Sequence, residues 1–142
     1  MNTDDWAIEA AKRRDAQRPK QTTKRRSQTP EAKVKNAVDA YLKKLGVINI
    51  RTNAGSWQDG DGRWIYGAKA GTADRVVCLP NGVFCAIEDK ATTGKQTEAQ
   101  ARFQQRVESF GAIYILARSR DDVRTALVAR FGEAVVRGWE AA

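Results

Sequence analysis

The chain has 142 residues, with 25 Lys and Arg against 17 Asp and Glu and no histidine at all. A formal charge of +8 favours an anionic partner, nucleic acid ahead of a membrane surface, and the missing imidazole excludes His-ligated zinc, His-metal nucleases and the Ser-His-Asp triad. The length suits a single domain with a real core, no run is apolar for long enough to span a membrane, and two cysteines without an export signal are expected to stay reduced in a cytoplasmic protein.

Residues 1–28 carry Lys12, Arg13, Arg14, Arg18, Lys20, Lys24, Arg25 and Arg26 and offer little beyond Trp6 and Ile8 to bury. They read as a basic N-terminal arm ahead of a folded domain over 29–142, either a solubilising tail or a phosphate-gripping segment, with a helical tendency from Trp6 to Arg14. Thr29-Pro30 is a helix start, and Val34, Val38, Tyr41, Leu42 and Leu45 form an apolar stripe that Gly46 ends. Glu31 sits at the edge of that stripe, where favourable placement against the helix dipole is one explanation for it. Val47–Arg51 reads as a strand leading to a turn at Asn53-Ala54-Gly55. Trp57–Tyr66 reads as a hairpin across Asp59-Gly60-Asp61-Gly62, a turn lacking the later ligands of a calcium loop. Packing is the expected role of Trp57, Trp64 and Tyr66, ahead of stacking on unpaired bases.

The stretch Gly71–Gln100 carries the chemistry. Asp74 precedes the run Val76-Val77-Cys78-Leu79, Pro80-Asn81-Gly82 breaks it, and Val83-Phe84-Cys85-Ala86-Ile87 ends in Glu88-Asp89-Lys90. Proline and asparagine suit the centre of a type I turn and Gly82 the left-handed residue that closes a three-residue loop. That register pairs Leu79 with Val83, Val76 with Ala86 and Asp74 with Glu88, and it sends Cys78 and Cys85 to opposite faces, so they form no disulfide. Directly opposed residues have Cβ atoms roughly 5 Å apart, and Lys90 shares the face of Glu88. Two hard carboxylates with room for water suit Mg²⁺ or Mn²⁺, and a lysine beside a metal-bound water suits phosphodiester hydrolysis. Lys69, just ahead of Asp74, is a candidate phosphate contact. Thr97 then caps a helix with Ala99, Phe103, Val107 and Phe110 inward; Ile113–Ala117 is a strand reached by a helical crossover and hence parallel to its neighbour; and Asp121–Phe131 is an amphipathic helix with Val123 and Leu127 inward. Val135, Val136 and Trp139 fit a short helix, a docking tail or a dimer contact.

Asp74 followed by a hairpin and Glu88-x-Lys90 resembles the PD-(D/E)XK nuclease signature. The fuller run, Gly71-Thr72-Ala73-Asp74, Ile87-Glu88-Asp89-Lys90 and Thr97-Glu98-Ala99-Gln100, with Glu31 and Arg51-Thr52-Asn53-Ala54-Gly55 upstream, resembles the VRR-NUC branch of that superfamily over about residues 29–117. Ala73 stands where the family tends to have proline. The resemblance implies an α/β fold, a mixed central β-sheet flanked by helices with a restriction-endonuclease-like α-β-β-β-α-β core. It implies a Mg²⁺- or Mn²⁺-dependent endonuclease or exonuclease acting on DNA, branched DNA being a candidate substrate, in a phage or bacterial setting and with a homodimer as a candidate assembly. Under it, Asp74, Glu88 and the backbone carbonyl of Asp89 hold the metal, Lys90 acts on the attacking water, and Glu31 and Gln100 complete the site. Lys69, Lys95, Arg25 and Arg26 are the candidate nucleic-acid contacts. The competing expectation is a non-catalytic nucleic-acid-binding module with a nuclease-like fold.

Overall fold

The computed structural model describes residues 29–142; the N-terminal arm, with Arg25 and Arg26, lies outside the described residues. The chain runs through α1 (Pro30–Leu45), β1 (Ile48–Arg51), β2 (Ser56–Gln58), β3 (Trp64–Tyr66), β4 (Arg75–Cys78), β5 (Phe84–Asp89), α2 (Glu98–Ser109), β6 (Ile113–Ala117), α3 (Arg120–Phe131) and α4 (Glu133–Ala141). Four strands form one mixed sheet in the order β1-β4-β5-β6, antiparallel except for the β5–β6 pair. Without the separate β2–β3 hairpin and the last two helices, the order is the expected α-β-β-β-α-β core.

Local chemistry starts and stops these elements as the residue types dictate. The Thr29 hydroxyl accepts from the Ala32 N–H at 3.2 Å, Pro30 occupies the first turn, and Gly46 closes α1 in the left-handed region. Thr97 and Gln100 make a reciprocal capping box on α2, as Ser119 and Asp122 do on α3. The β4–β5 hairpin has the three-residue loop: Gly82 N–H donates to Leu79 C=O at 2.8 Å, Leu79 N–H to Val83 C=O at 3.0 Å, and Gly82 has φ +80°. Val76 therefore faces Ala86 and Cys78 faces Phe84. Cys78 is exposed and Cys85 is buried, both as free thiols, with burial pushing the Cys85 thiol up to about 12.

Strand alternation divides the sheet into two unequal faces. Val77, Leu79, Cys85, Ile87, Ile115 and Ala117 meet α1, α3 and α4 in the main core, with Val38, Leu42, Val123, Leu127 and Val136 completely covered. The opposite face is thinner. There α2 packs Val107 and Phe103 against Ala73, Ala86 and Tyr114. Beyond its reach Ile48, Ile50 and Phe84 stay exposed along β1 and the hairpin end.

Three expectations need correction or choice. Phe110 does not join the buried stripe of α2: the helix ends at Ser109, so its 3.6-residue period no longer governs position 110, and the ring is 75% exposed beneath the Arg106 guanidinium. The aromatics Trp57, Trp64 and Tyr66 do not pack either. Their hairpin is a two-stranded sheet of its own, outside both core clusters of the described residues, and all three residues are exposed. The C-terminal segment is a helix, held by buried Val136 and by Trp139 edge-on to Phe131 at 5.2 Å.

Candidate active site

The site lies at the end of the sheet where β4 begins and β5 finishes. Asp74, one residue before β4, and Glu88, in β5, are on the thin face, while Arg75 and Asp89 alternate to the face beneath α1. The pairing of Arg75 with Ile87 puts the next pair outward, Asp74 and Glu88, directly opposite each other. One Asp74 oxygen, Oδ2, accepts from the Asp89 backbone N–H at 2.9 Å, so β5 itself fixes the first carboxylate.

Glu88 is only 3% exposed. Its Oε1 accepts from Gln100 Nε2 at 2.6 Å and lies 3.3 Å from Lys90 Nζ, whereas Oε2 is buried and has no hydrogen-bond partner among the described residues. Burial, reinforced by the negative charge of Asp74, raises the Glu88 carboxyl to about 7 against the pull of Lys90. A buried oxygen left orphaned beside a second carboxylate is what a divalent cation would satisfy, so the residues present fit such an ion.

Burial sets a sign for the pH dependence. Between 4.5 and about 7 the folded protein holds the Glu88 proton that the unfolded chain has released, so this contribution to stability is complete below 4.5 and is lost as pH rises through 7. Metal-free thermal melts across that window should therefore show the parent falling relative to Glu88→Gln. Parallel curves would mean that Glu88 titrates normally.

Gln100 reaches Glu88 because α2 starts at a capping box: its Oε1 accepts from the Thr97 N–H at 2.9 Å while its Nε2 faces the sheet. After Lys90, Arg118 donates to the carbonyls of Thr92 and Gly94, tying down the loop that carries exposed Lys95. Glu31 joins the cluster indirectly. Its Oε1 is 3.0 Å from Lys35 Nζ, which is in turn 3.4 Å from Asp74 Oδ1. Burial disfavours the Lys35 charge, but the hydrogen bond to Glu31 and the attraction of Asp74 outweigh it and hold the ammonium above its ordinary value.

Lys35 was not singled out from the sequence, although Glu31 and Lys35 stand four apart, a spacing that places both on one helix face. The buried network behind the site was also missed. Arg75, 1% exposed, pairs with Asp89 and Asp39, and Arg51 also pairs with Asp39. The signal was an arginine in the same alternation as buried Val77. The Asp89 side chain belongs to this network and points away from Glu88, so only its backbone is available to the site.

A cleft of about 330 Å³ opens between the 69–72 loop and α2, lined by Lys69, Gly71, Thr72, Arg102, Phe103 and Arg106. Gly71 shapes its wall: φ is +89°, and a Cβ there would come within 2.8 Å of Ala99. Lys69 thus joins two arginines in a positive cleft that the sequence did not reveal, because only the docking of α2 brings them together.

No family model matches the chain, and no curated protein matches it. Among solved structures, one described as a VRR_NUC domain superposes with a TM-score of 0.51 and 24% identity, over 72% of this chain and 98% of that one. The chain has the VRR_NUC fold. The alignment takes in nearly the whole of that VRR_NUC domain, and the mixed sheet with its flanking helices is the architecture that the sequence resemblance implied. None of the helices among the described residues is long and apolar enough to cross a membrane.

Proposed function

We propose that this protein is a divalent-metal-dependent DNA nuclease of the VRR-NUC type that hydrolyses phosphodiester bonds. The observation that carries the reading is the buried, unpartnered Glu88 Oε2 on the same sheet face as Asp74. Asp74, Glu88 and the backbone carbonyl of Asp89 would hold Mg²⁺ or Mn²⁺, hard cations that prefer such oxygen donors. A bound ion of this kind supplies Lewis-acid polarisation of a phosphate oxygen and a more acidic water.

The chain's own residues do the rest. Gln100 fixes the Glu88 carboxylate, leaving Oε2 free. Lys90 places its ammonium where it can orient a water and offset charge that develops at phosphorus. Lys69, Arg102 and Arg106 form a positive cleft for the flanking backbone, with Lys95 on the neighbouring loop. Branched DNA is the proposed preferred substrate. A homodimer on such a substrate would have an apolar surface to bury in Ile48, Ile50 and Phe84.

Purified protein incubated with junction, flap, nicked and plain duplex DNA in Mg²⁺ or Mn²⁺ should cut at least one form, and EDTA should abolish cutting while leaving binding largely intact. Binding without cleavage under every condition would leave the alternative, a non-catalytic nucleic-acid-binding module.

A further inference from the structure

We propose that Lys35 serves as a built-in second cation, so that the site takes one divalent ion rather than two. The inference rests on the metal-dependent reading above. Two-metal phosphodiesterase sites hold their ions about 3.5–4 Å apart, and each ion needs its own share of carboxylate oxygens. Here the carboxylates that would receive the second ion are already bridged: Lys35 Nζ lies 3.0 Å from Glu31 Oε1 and 3.4 Å from Asp74 Oδ1. The other Asp74 oxygen accepts the Asp89 N–H. Among the described residues no group of three acidic, histidine or cysteine side chains is gathered closely enough to cage a metal, which leaves the Asp74–Glu88 pair.

Charge points the same way. With Glu88 ionised, as binding a cation requires, Glu31, Asp74 and Glu88 contribute −3, and Lys35 and Lys90 +2, a net −1. One divalent ion brings the cluster to +1, whereas a second would bring it to +3 in a half-buried site, where like charges are weakly screened. The ammonium is not sealed away. It borders a recess of about 60 Å³ lined also by Arg51, Asn53, Asp74 and Arg75, and a quarter of its side chain is open to solvent. A phosphate oxygen entering there meets a fixed positive charge beside Asp74, which is the electrostatic part of what a second metal does. The helix supplies the geometry: Glu31 and Lys35 are one turn apart on α1, and Arg75 Nη2 donates to the Lys35 carbonyl at 3.4 Å, tying that turn to the sheet.

The test is Mn²⁺ stoichiometry on the full chain, by titration calorimetry and electron paramagnetic resonance, needing no DNA. The parent should bind one Mn²⁺ with the spectrum of an isolated ion. Lys35→Met and Lys35→Gln should each bind two, with the signature of a coupled pair, Lys35→Arg should stay at one, and adding Glu31→Gln to Lys35→Met should return the count to one. Circular dichroism melts establish that each variant is folded before it is scored. Two ions in the parent would overturn the role of Lys35 and leave the metal-dependent reading standing. One ion in the parent and in both neutral variants would also overturn it. No ion in the parent would overturn the metal-dependent reading itself.

Discussion

Glu88→Gln should lower the rate of DNA cleavage by about two to three orders of magnitude, the usual cost of removing one preorganised electrostatic group from an active site. The amide keeps the shape of the side chain and the contact with Gln100, and it loses the charge that Oε2 offers to a cation. Lys90→Met should cost a comparable factor by a different route, since the ammonium 3.3 Å from Glu88 Oε1 disappears while the candidate metal ligands remain. Three readouts separate the roles. Metal affinity should fall in Glu88→Gln and persist in Lys90→Met. DNA affinity should change little in either, because backbone contacts such as those of Lys69, Arg102 and Arg106 are distributed. Without metal, above pH 7, Glu88→Gln should melt at a higher temperature than the parent, which must bury an ionised carboxylate facing Asp74. A Glu88→Gln variant that cuts within a few-fold of the parent would remove Glu88 from the proposed chemistry.

The largest stability loss should come from Arg75→Leu, about 3–5 kcal/mol, the range observed when one partner of a buried ion pair is removed. Arg75 is 1% exposed and Asp89 completely buried; Arg75 Nε donates to Asp89 Oδ2 at 3.1 Å, its terminal nitrogens pair with Asp89 and Asp39, and Asp89 Oδ1 already has no partner. Leucine would fill part of the volume and strand one buried carboxylate. Lysine should rescue poorly, because a single ammonium cannot reproduce the planar fork that reaches both acids. Urea denaturation measures the loss, and a change below about 1 kcal/mol would show that the network is not a buried ion pair in solution. The effect should reach the candidate active site through the backbone. Asp89 N–H holds Asp74 Oδ2, so a shift of β5 displaces both candidate metal ligands together, and the folded fraction of Arg75→Leu should cleave more slowly than the parent.

The local elements of this protein are written in short range. Thr29-Pro30 and Gly46 bracket α1, Pro80-Asn81-Gly82 selects the three-residue loop, and that loop alone sets the register opposing Asp74 to Glu88, because alternation along two short strands leaves no freedom once the turn is chosen. The Glu88-x-Lys90 spacing places both side chains on one face for the same reason. What residue spacing could not reveal is which elements meet at that face. Lys35 touches Asp74 across 39 positions of sequence, Arg75 finds Asp39 across 36, and Arg102 and Arg106 meet Lys69 only because α2 packs over the thin side of the sheet. Phe110 and the aromatic hairpin depart from the expected packing for a related reason. Their apolar character says that they can be buried, while whether a layer arrives to cover them depends on where the helices stop and which sheet each strand joins. Turns and alternation act through bonds and neighbours, so sequence by itself determined the carboxylate pair and its lysine; the cations around that pair come from α1 and α2, and only the packing of the whole chain decided where they stand.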